Sequence, residues 1–224
     1  MNRDVFSDQV AFESDSFADN PEPRCPCLLI LDTSYSMSGQ PIRELNEGLK
    51  SFKEELISDS LAMKRVEVAV ISFGPVKVQS TFQTVENFSP PELHADGSTP
   101  MGEAIEKGLE LLKLRKNEYK TNGISFYRPW VFLITDGEPT DDWEKSAKLV
   151  HDGEANKSFA FFSVGVGDAN VNLLQHISVR EPLKLDGLKF RELFQWLSNS
   201  MKSVSQSTPG TSVAIESPIG WAEV

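Results

Sequence analysis

The sequence is poor in cysteine, histidine and basic residues. Its two cysteines, Cys25 and Cys27, stand one residue apart, a spacing that strains a disulfide. With no second pair they cannot complete a structural zinc site within one chain. They are expected as reduced residues at the start of a strand, the alternative being a redox or intermolecular metal role. The three histidines, His94, His151 and His176, show no metal-ligand spacing. Lysine and arginine total 22 against 33 acids, for a formal net charge of −11. That balance argues against sequence-independent nucleic-acid binding, which needs a basic surface, and equally against docking on anionic lipid. No apolar run reaches transmembrane length. Met1 to Asp8 is polar and acidic, without the apolar stretch of a signal peptide, so the expected location is the cytoplasm.

What remains is ordinary for a globular chain: 224 residues, 39% hydrophobic and 25% charged, enough for one large domain and a short appendage. Three parts are expected. Residues 1–24 form an acidic arm, with six acids against two arginines and scattered Phe6, Val10, Phe12 and Phe17 that can pack on the domain. Residues 25–204 form the domain. Residues 205–224 form a Ser-, Pro- and Gly-rich tail.

Cys27 to Leu31 is a continuous apolar run, the pattern of a strand buried on both faces. Pro41 sits where a first helical residue belongs, and Ile42, Leu45, Leu49, Phe52 and Leu56 follow at helical spacing. Strands are predicted at Val66–Phe73, Val76–Val85, Trp130–Thr135 and Ser158–Val166. The tight link at Gly74-Pro75 makes the second of these an antiparallel partner of the first. Helices are predicted from Met101, after Asp141 (as N-cap, with Glu144 completing a capping box), near Val171–Ile177, and from Phe190 to about Val204. A further short strand falls at Leu183–Leu185. Residues 116–128 read as a polar and aromatic insertion: an elaborated surface loop or, through Tyr119, Phe126, Tyr127 and Arg128, a second interface. The alternation predicts an α/β fold, a doubly wound, mostly parallel sheet with one antiparallel edge strand. Such folds bind ligands beyond the carboxyl ends of their strands.

Three strand-end loops carry candidate ligands. Asp32, Ser34 and Ser36 place a carboxylate and two hydroxyls at alternate positions after the first strand. Thr99 precedes the Met101 helix, and Asp136 follows the Trp130 strand. All five offer oxygen, the choice of hard cations such as Mg²⁺, with Mn²⁺ or Ca²⁺ as alternatives. Only two of the five are charged, which leaves such a cation electrophilic enough to take a further acidic ligand. Singly, Asp32 is a helix cap and the serines are loop formers; their coincidence with Thr99 and Asp136 is what points to a metal. Glu138, Asp141 and Asp142 lie close by, and can repel acidic partners of the wrong kind.

Asp32-x-Ser34-x-Ser36, Thr99 within Gly97-Ser98-Thr99-Pro100, and Thr135-Asp136-Gly137 together resemble the metal-ion-dependent adhesion site of von Willebrand factor type A domains. Across a larger part of the chain, Arg24–Asp32, Lys64–Glu67, Phe73–Val76, Arg128–Trp130, Thr135–Asp141 and Gly220–Trp221 resemble bacterial YegL-type proteins, relatives of the TerY tellurite-resistance proteins. The resemblance implies that the first Asp, both Ser and the Thr contact the metal directly or through water, and that Asp136 works through water. It implies a protein partner whose Asp or Glu completes the metal's coordination, and a cytoplasmic bacterial setting shared with a PP2C-type phosphatase and a Ser/Thr kinase. Tyr35 is a departure, standing where many members carry Gly, and its ring can narrow access or contact a ligand. The rival reading is a Mg²⁺-dependent phosphohydrolase with Asp32 as nucleophile. That chemistry wants a second Asp two residues later, where this chain has Ser34, a poor general base. A scaffold with a purely structural metal is the third.

Overall fold

Every residue of β1 (Cys25–Asp32) is buried, as its unbroken apolar run requires of a strand covered on both faces. The computed structural model describes Phe17, residues 19–215, Ser217, Pro218, Ala222 and Glu223; Phe6, Val10 and Phe12 of the expected arm lie outside the described residues. β1 is an interior strand, third in a seven-stranded sheet of order β3-β2-β1-β4-β5-β6-β7. β2 (Val66–Phe73) and β4 (Trp130–Thr135) flank it in parallel. β5 (Ala160–Gly165) and β6 (Leu183–Leu185) continue the parallel set. β3 (Lys77–Thr84) closes one edge antiparallel to β2 and is mostly half-buried. The two-residue β7 (Ala222–Glu223) adds a second antiparallel partner at the far edge.

Alternate residues of β1 serve two cores. Cys25, Cys27, Leu29 and Leu31 face a layer that holds α1 (Gln40–Ile57) and α6 (Phe190–Ser205). Leu28 and Ile30 face the layer of α3 (Met101–Thr121), α4 (Glu144–Ala155) and α5 (Val171–Ile177). A short α2 (Ser60–Arg65) leads into β2, its first turn capped by the Asp59 carboxylate, which accepts from Leu61 N and Ala62 N. The chain thus winds to one side of β1 through β2 and to the other through β4, and the carboxyl ends of β1 and β4 meet at the reversal point. Both cysteines are free and fully buried. Burial pushes the Cys25 thiol up to about 12 and raises Cys27 as well, so neither is a ready nucleophile.

Two expectations are corrected. Residues 116–128 are not an insertion: α3 runs on to Thr121. Tyr119 lies two turns beyond Leu112 on the same helical face and is fully buried. Its hydroxyl donates to Glu67 Oε2 at 2.5 Å. Tyr127 is buried too, with its hydroxyl on Ser207 O, and Arg128 pairs with Glu154 at 2.6 Å. These side chains pack the domain and do not form an exposed second interface. Asp141, in turn, does not cap the helix that follows it. Its carboxylate accepts from Gly102 N at 3.0 Å and Glu103 N at 2.8 Å, so it caps α3 across the molecule. The reason is proximity: Thr140 N donates to Thr99 O, which sets the 140 loop over the free N–H groups of α3.

At the opposite pole from the strand ends, Glu67 sits fully buried among cations. Arg24 Nε donates to its Oε1 at 2.9 Å, and Arg115 grips it in a fork at 2.8 Å on each oxygen. Phe17 lies under both guanidiniums, with the Arg115 carbon 4.8 Å from its ring centre.

Candidate functional site

β1 ends at Asp32, whose side chain is entirely buried. Its neighbour in β4 by register is Thr135, since Leu31 pairs with Ile134. The Thr135 hydroxyl donates to Asp32 Oδ2 in a short hydrogen bond, and Ser34 N donates to Asp32 Oδ1 at 2.8 Å. The carboxylate is therefore fixed in direction. Burial raises its pKa above the usual carboxylate range; the Ser34 and Thr135 hydrogen bonds work against this, and the nearby Asp136 charge adds to it.

The loop after Asp32 makes a 3-10 turn over Tyr35–Met37. Ser34 Oγ and Ser36 Oγ lie 3.0 Å apart, and Ser36 Oγ donates to Asp136 Oδ1 at 2.7 Å. Two backbone bonds lock this loop to the one holding Thr99: Tyr35 N to Gly97 O and Asp96 N to Thr33 O. The fit leaves no room for side chains. A Cβ on Gly74 would fall 2.6 Å from the carbonyl oxygens of Asp96 and Thr33, and one on Gly97 would fall 2.1 Å from Gly74 O; both glycines also have positive φ.

Thr99 is held by its main chain, with its N–H donating to Thr140 Oγ1 at 3.1 Å. Its side chain is buried, yet among the described residues its hydroxyl has no hydrogen-bond partner. A Cβ built on Gly137 would meet Thr99 Oγ1 at 3.5 Å and Asp32 Oδ2 at 3.9 Å. Gly137 thus keeps a small space open between these two oxygens. The structure brings Asp32, Ser34, Ser36, Thr99 and Asp136 to one place. Among the described residues no three His, Cys, Asp or Glu side chains gather as a metal-holding group; this site combines two carboxylates with three hydroxyls. Sequence reasoning missed Thr135 and Thr140 as positioning residues. The signal for Thr135 was available, in a hydroxyl at the last position of a strand that pairs beside Asp32.

A doubly wound α/β domain with an oxygen-rich site at the reversal point is the class of molecule these features define. The chain belongs to the von Willebrand factor type A domain family, whose model matches residues 28–187. Among solved structures it is similar to the pilus adhesin SpaC from Lactobacillus rhamnosus GG, with TM-score 0.67 and 14% identity over 83% of this chain and 31% of that one. It is also similar to the von Willebrand factor domain of the type V pili tip protein Mfa5 from Porphyromonas gingivalis, with TM-score 0.58 and 11% identity over 85% and 99% of the two chains. A third likeness is to proximal thread matrix protein 1 of the mussel byssus, with TM-score 0.55 and 17% identity over 81% and 49%. At these identities the likeness speaks for the fold alone. The chain spans half or less of the length of SpaC and the byssus protein. No curated protein matches it. Among the described residues, no helix is long and apolar enough to cross a membrane. Domains of this family act in general as interaction modules, often with a divalent metal.

Proposed function

We propose that this domain binds a protein partner through a divalent cation held by Asp32, Ser34, Ser36, Thr99 and Asp136, with a partner Asp or Glu completing the coordination. The observation that carries the reading is the Thr99 hydroxyl: buried, without a hydrogen-bond partner among the described residues, and close with Asp32 Oδ2 to the space beside Gly137. A buried polar group left unsatisfied costs stability unless a ligand supplies the partner. The donor set fits a hard cation, with Mg²⁺ first and Mn²⁺ or Ca²⁺ as alternatives. Two carboxylates balance its charge, and the hydroxyls add none. When bound, the cation supplies Lewis acidity toward an anionic oxygen. The chain's own residues hold that oxygen set rigid: Thr135 and Ser34 N orient Asp32, and Thr140 fixes Thr99.

The setting is the one the resemblance to YegL- and TerY-type proteins implies: a cytoplasmic bacterial signalling or stress-response system with a PP2C-type phosphatase or Ser/Thr kinase as the partner. Residues 25–204 serve as the binding domain. Catalysis is not part of the reading, since the residue two positions after Asp32 is Ser34, and its hydroxyl is engaged with Ser36.

The test is calorimetric titration of Mg²⁺ together with partner capture in Mg²⁺ and in EDTA, for wild type and Asp32→Ala. Wild type alone is expected to bind Mg²⁺ and to hold a partner only in its presence. Capture that ignores both EDTA and the substitution would sink the proposal.

A further inference from the structure

The surface around the proposed cation site is acidic. Four loops surround it: residues 33–39, 94–100, 135–142 and 165–170. Hydrogen bonds join them: Tyr35 N to Gly97 O, Val166 N to Thr135 O, and Asn170 Nδ2 to Glu138 Oε1 at 2.8 Å. None of the four contains a lysine or an arginine. Beyond Asp32 and Asp136 they carry Asp96, Glu138, Asp141, Asp142 and Asp168. Of these, Asp96, Glu138, Asp142 and Asp168 are exposed. The nearest basic side chains in sequence, Lys145 and Arg43, lie on α4 and α1, and Lys145 is paired with Glu106 at 2.5 Å.

Tyr35 lies on the first of these loops, bound through its backbone to the second. Its side chain is 75% exposed, more than any other large apolar side chain described, and neither its ring nor its hydroxyl has a partner among the described residues. Its backbone, by contrast, is pinned at both ends, through Tyr35 N on Gly97 O and Ser38 N on Tyr35 O. A rigidly mounted, bare tyrosine is an interface anchor, and its ring face attracts cations. The rim continues into a groove of about 670 Å³ between α3 and α4, where five acids and two lysines, Lys107 and Lys113, border the partly exposed Leu109 and Leu149.

We infer that the partner presents its metal-binding carboxylate within a basic segment, flanked by Lys or Arg. The inference rests on the cation reading above; the buried Thr99 hydroxyl, without a hydrogen-bond partner among the described residues, is the independent sign that the rim surrounds a ligand site. A bare or acid-flanked carboxylate would have to approach the cation through the repulsion of the rim. Flanking cations turn that repulsion into attraction, and one of them can rest on the Tyr35 ring. The acidic rim is thus a filter against wrong partners as well as a guide for the right one.

The probes are synthetic twelve-residue peptides with one central Asp, flanked by Lys/Arg, by Ser/Gly or by Glu, together with a basic-flanked peptide carrying Asn in place of Asp. Binding to the full chain is measured in Mg²⁺ and in EDTA. The basic-flanked Asp peptide is expected to bind at least tenfold more tightly than the Ser/Gly version, to weaken with salt, and to be lost with EDTA or Asn. The Asp96→Lys/Glu138→Lys/Asp168→Lys variant is expected to abolish the tenfold preference, and Tyr35→Ala to reduce it severalfold, with Mg²⁺ binding by calorimetry retained in both. Equal affinity for all flanks, including no detectable binding of any, overturns this inference. Absence of Mg²⁺ binding by the wild type instead overturns the cation reading on which it stands.

Discussion

The Thr99 hydroxyl is buried and has no hydrogen-bond partner among the described residues, so this single oxygen separates folding from ligand binding. Thr99→Val keeps the shape and removes only the hydroxyl. It is expected to melt at or above the wild-type temperature in EDTA and to bind Mg²⁺ about tenfold more weakly, a loss of roughly 1.4 kcal/mol; thermal melts and calorimetry check the two halves. The sealed thiols make a second prediction at this scale. Cys25 titrates near 9.0 when exposed and is pushed up to about 12 in the fold. The folded chain therefore keeps a proton that the unfolded chain gives up. Stability is intact below about pH 9 and falls by roughly 1.4 kcal/mol per pH unit for this thiol as pH rises toward 12. Denaturation curves for wild type and Cys25→Ala at pH 8 and 10 should show the smaller alkaline loss in the variant. A thiol reagent should label neither cysteine until the chain unfolds.

Among elements, the contact between α3 and β2 depends on one buried carboxylate. Glu67 lies within a strand of otherwise apolar and small residues, and is held by Arg24, Arg115 and Tyr119. Glu67→Ala leaves two guanidiniums facing a cavity and is expected to cost about 3–5 kcal/mol by chemical denaturation. An unchanged midpoint would show that the cations find water instead. This cluster also shows where sequence reading stops. Trp130–Thr135 was legible because burial on both faces leaves an apolar run, and Val66–Phe73 and Leu183–Leu185 also fall where expected. The five candidate ligands were legible because loop, helix and strand end each place them locally. Glu67 with Arg115 was not, since 48 residues separate partners that meet only once the sheet forms. The same holds for Asp141: local spacing favoured the helix after it, while tertiary proximity gave it to α3. The short α2 was missed although Asp59 stands before a run of good helix formers.

For the whole molecule, the site sets two charges against each other in the absence of a cation. Asp32 is raised by its burial and by Asp136, so the folded chain holds this charge less readily than the unfolded one. At neutral pH the charge subtracts stability, and a bound cation reverses the sign. At a hundred times its dissociation constant, Mg²⁺ is expected to add about 2.7 kcal/mol to the wild type. Asp32→Asn should match or exceed wild-type stability in EDTA and gain nothing from Mg²⁺; melts in both conditions decide it. The sheet also has a practical polarity. β1 runs eight residues from Cys25 to Asp32, about 26 Å, with the Phe17–Arg24 contact at one pole and the carboxylate at the other. Both native thiols are sealed, so Asp19→Cys, at an exposed position beside that far pole, would be the only thiol open to a dye. A fluorophore there stands clear of the binding face, at a separation suited to energy transfer from a labelled peptide, and can report occupancy without touching what it measures.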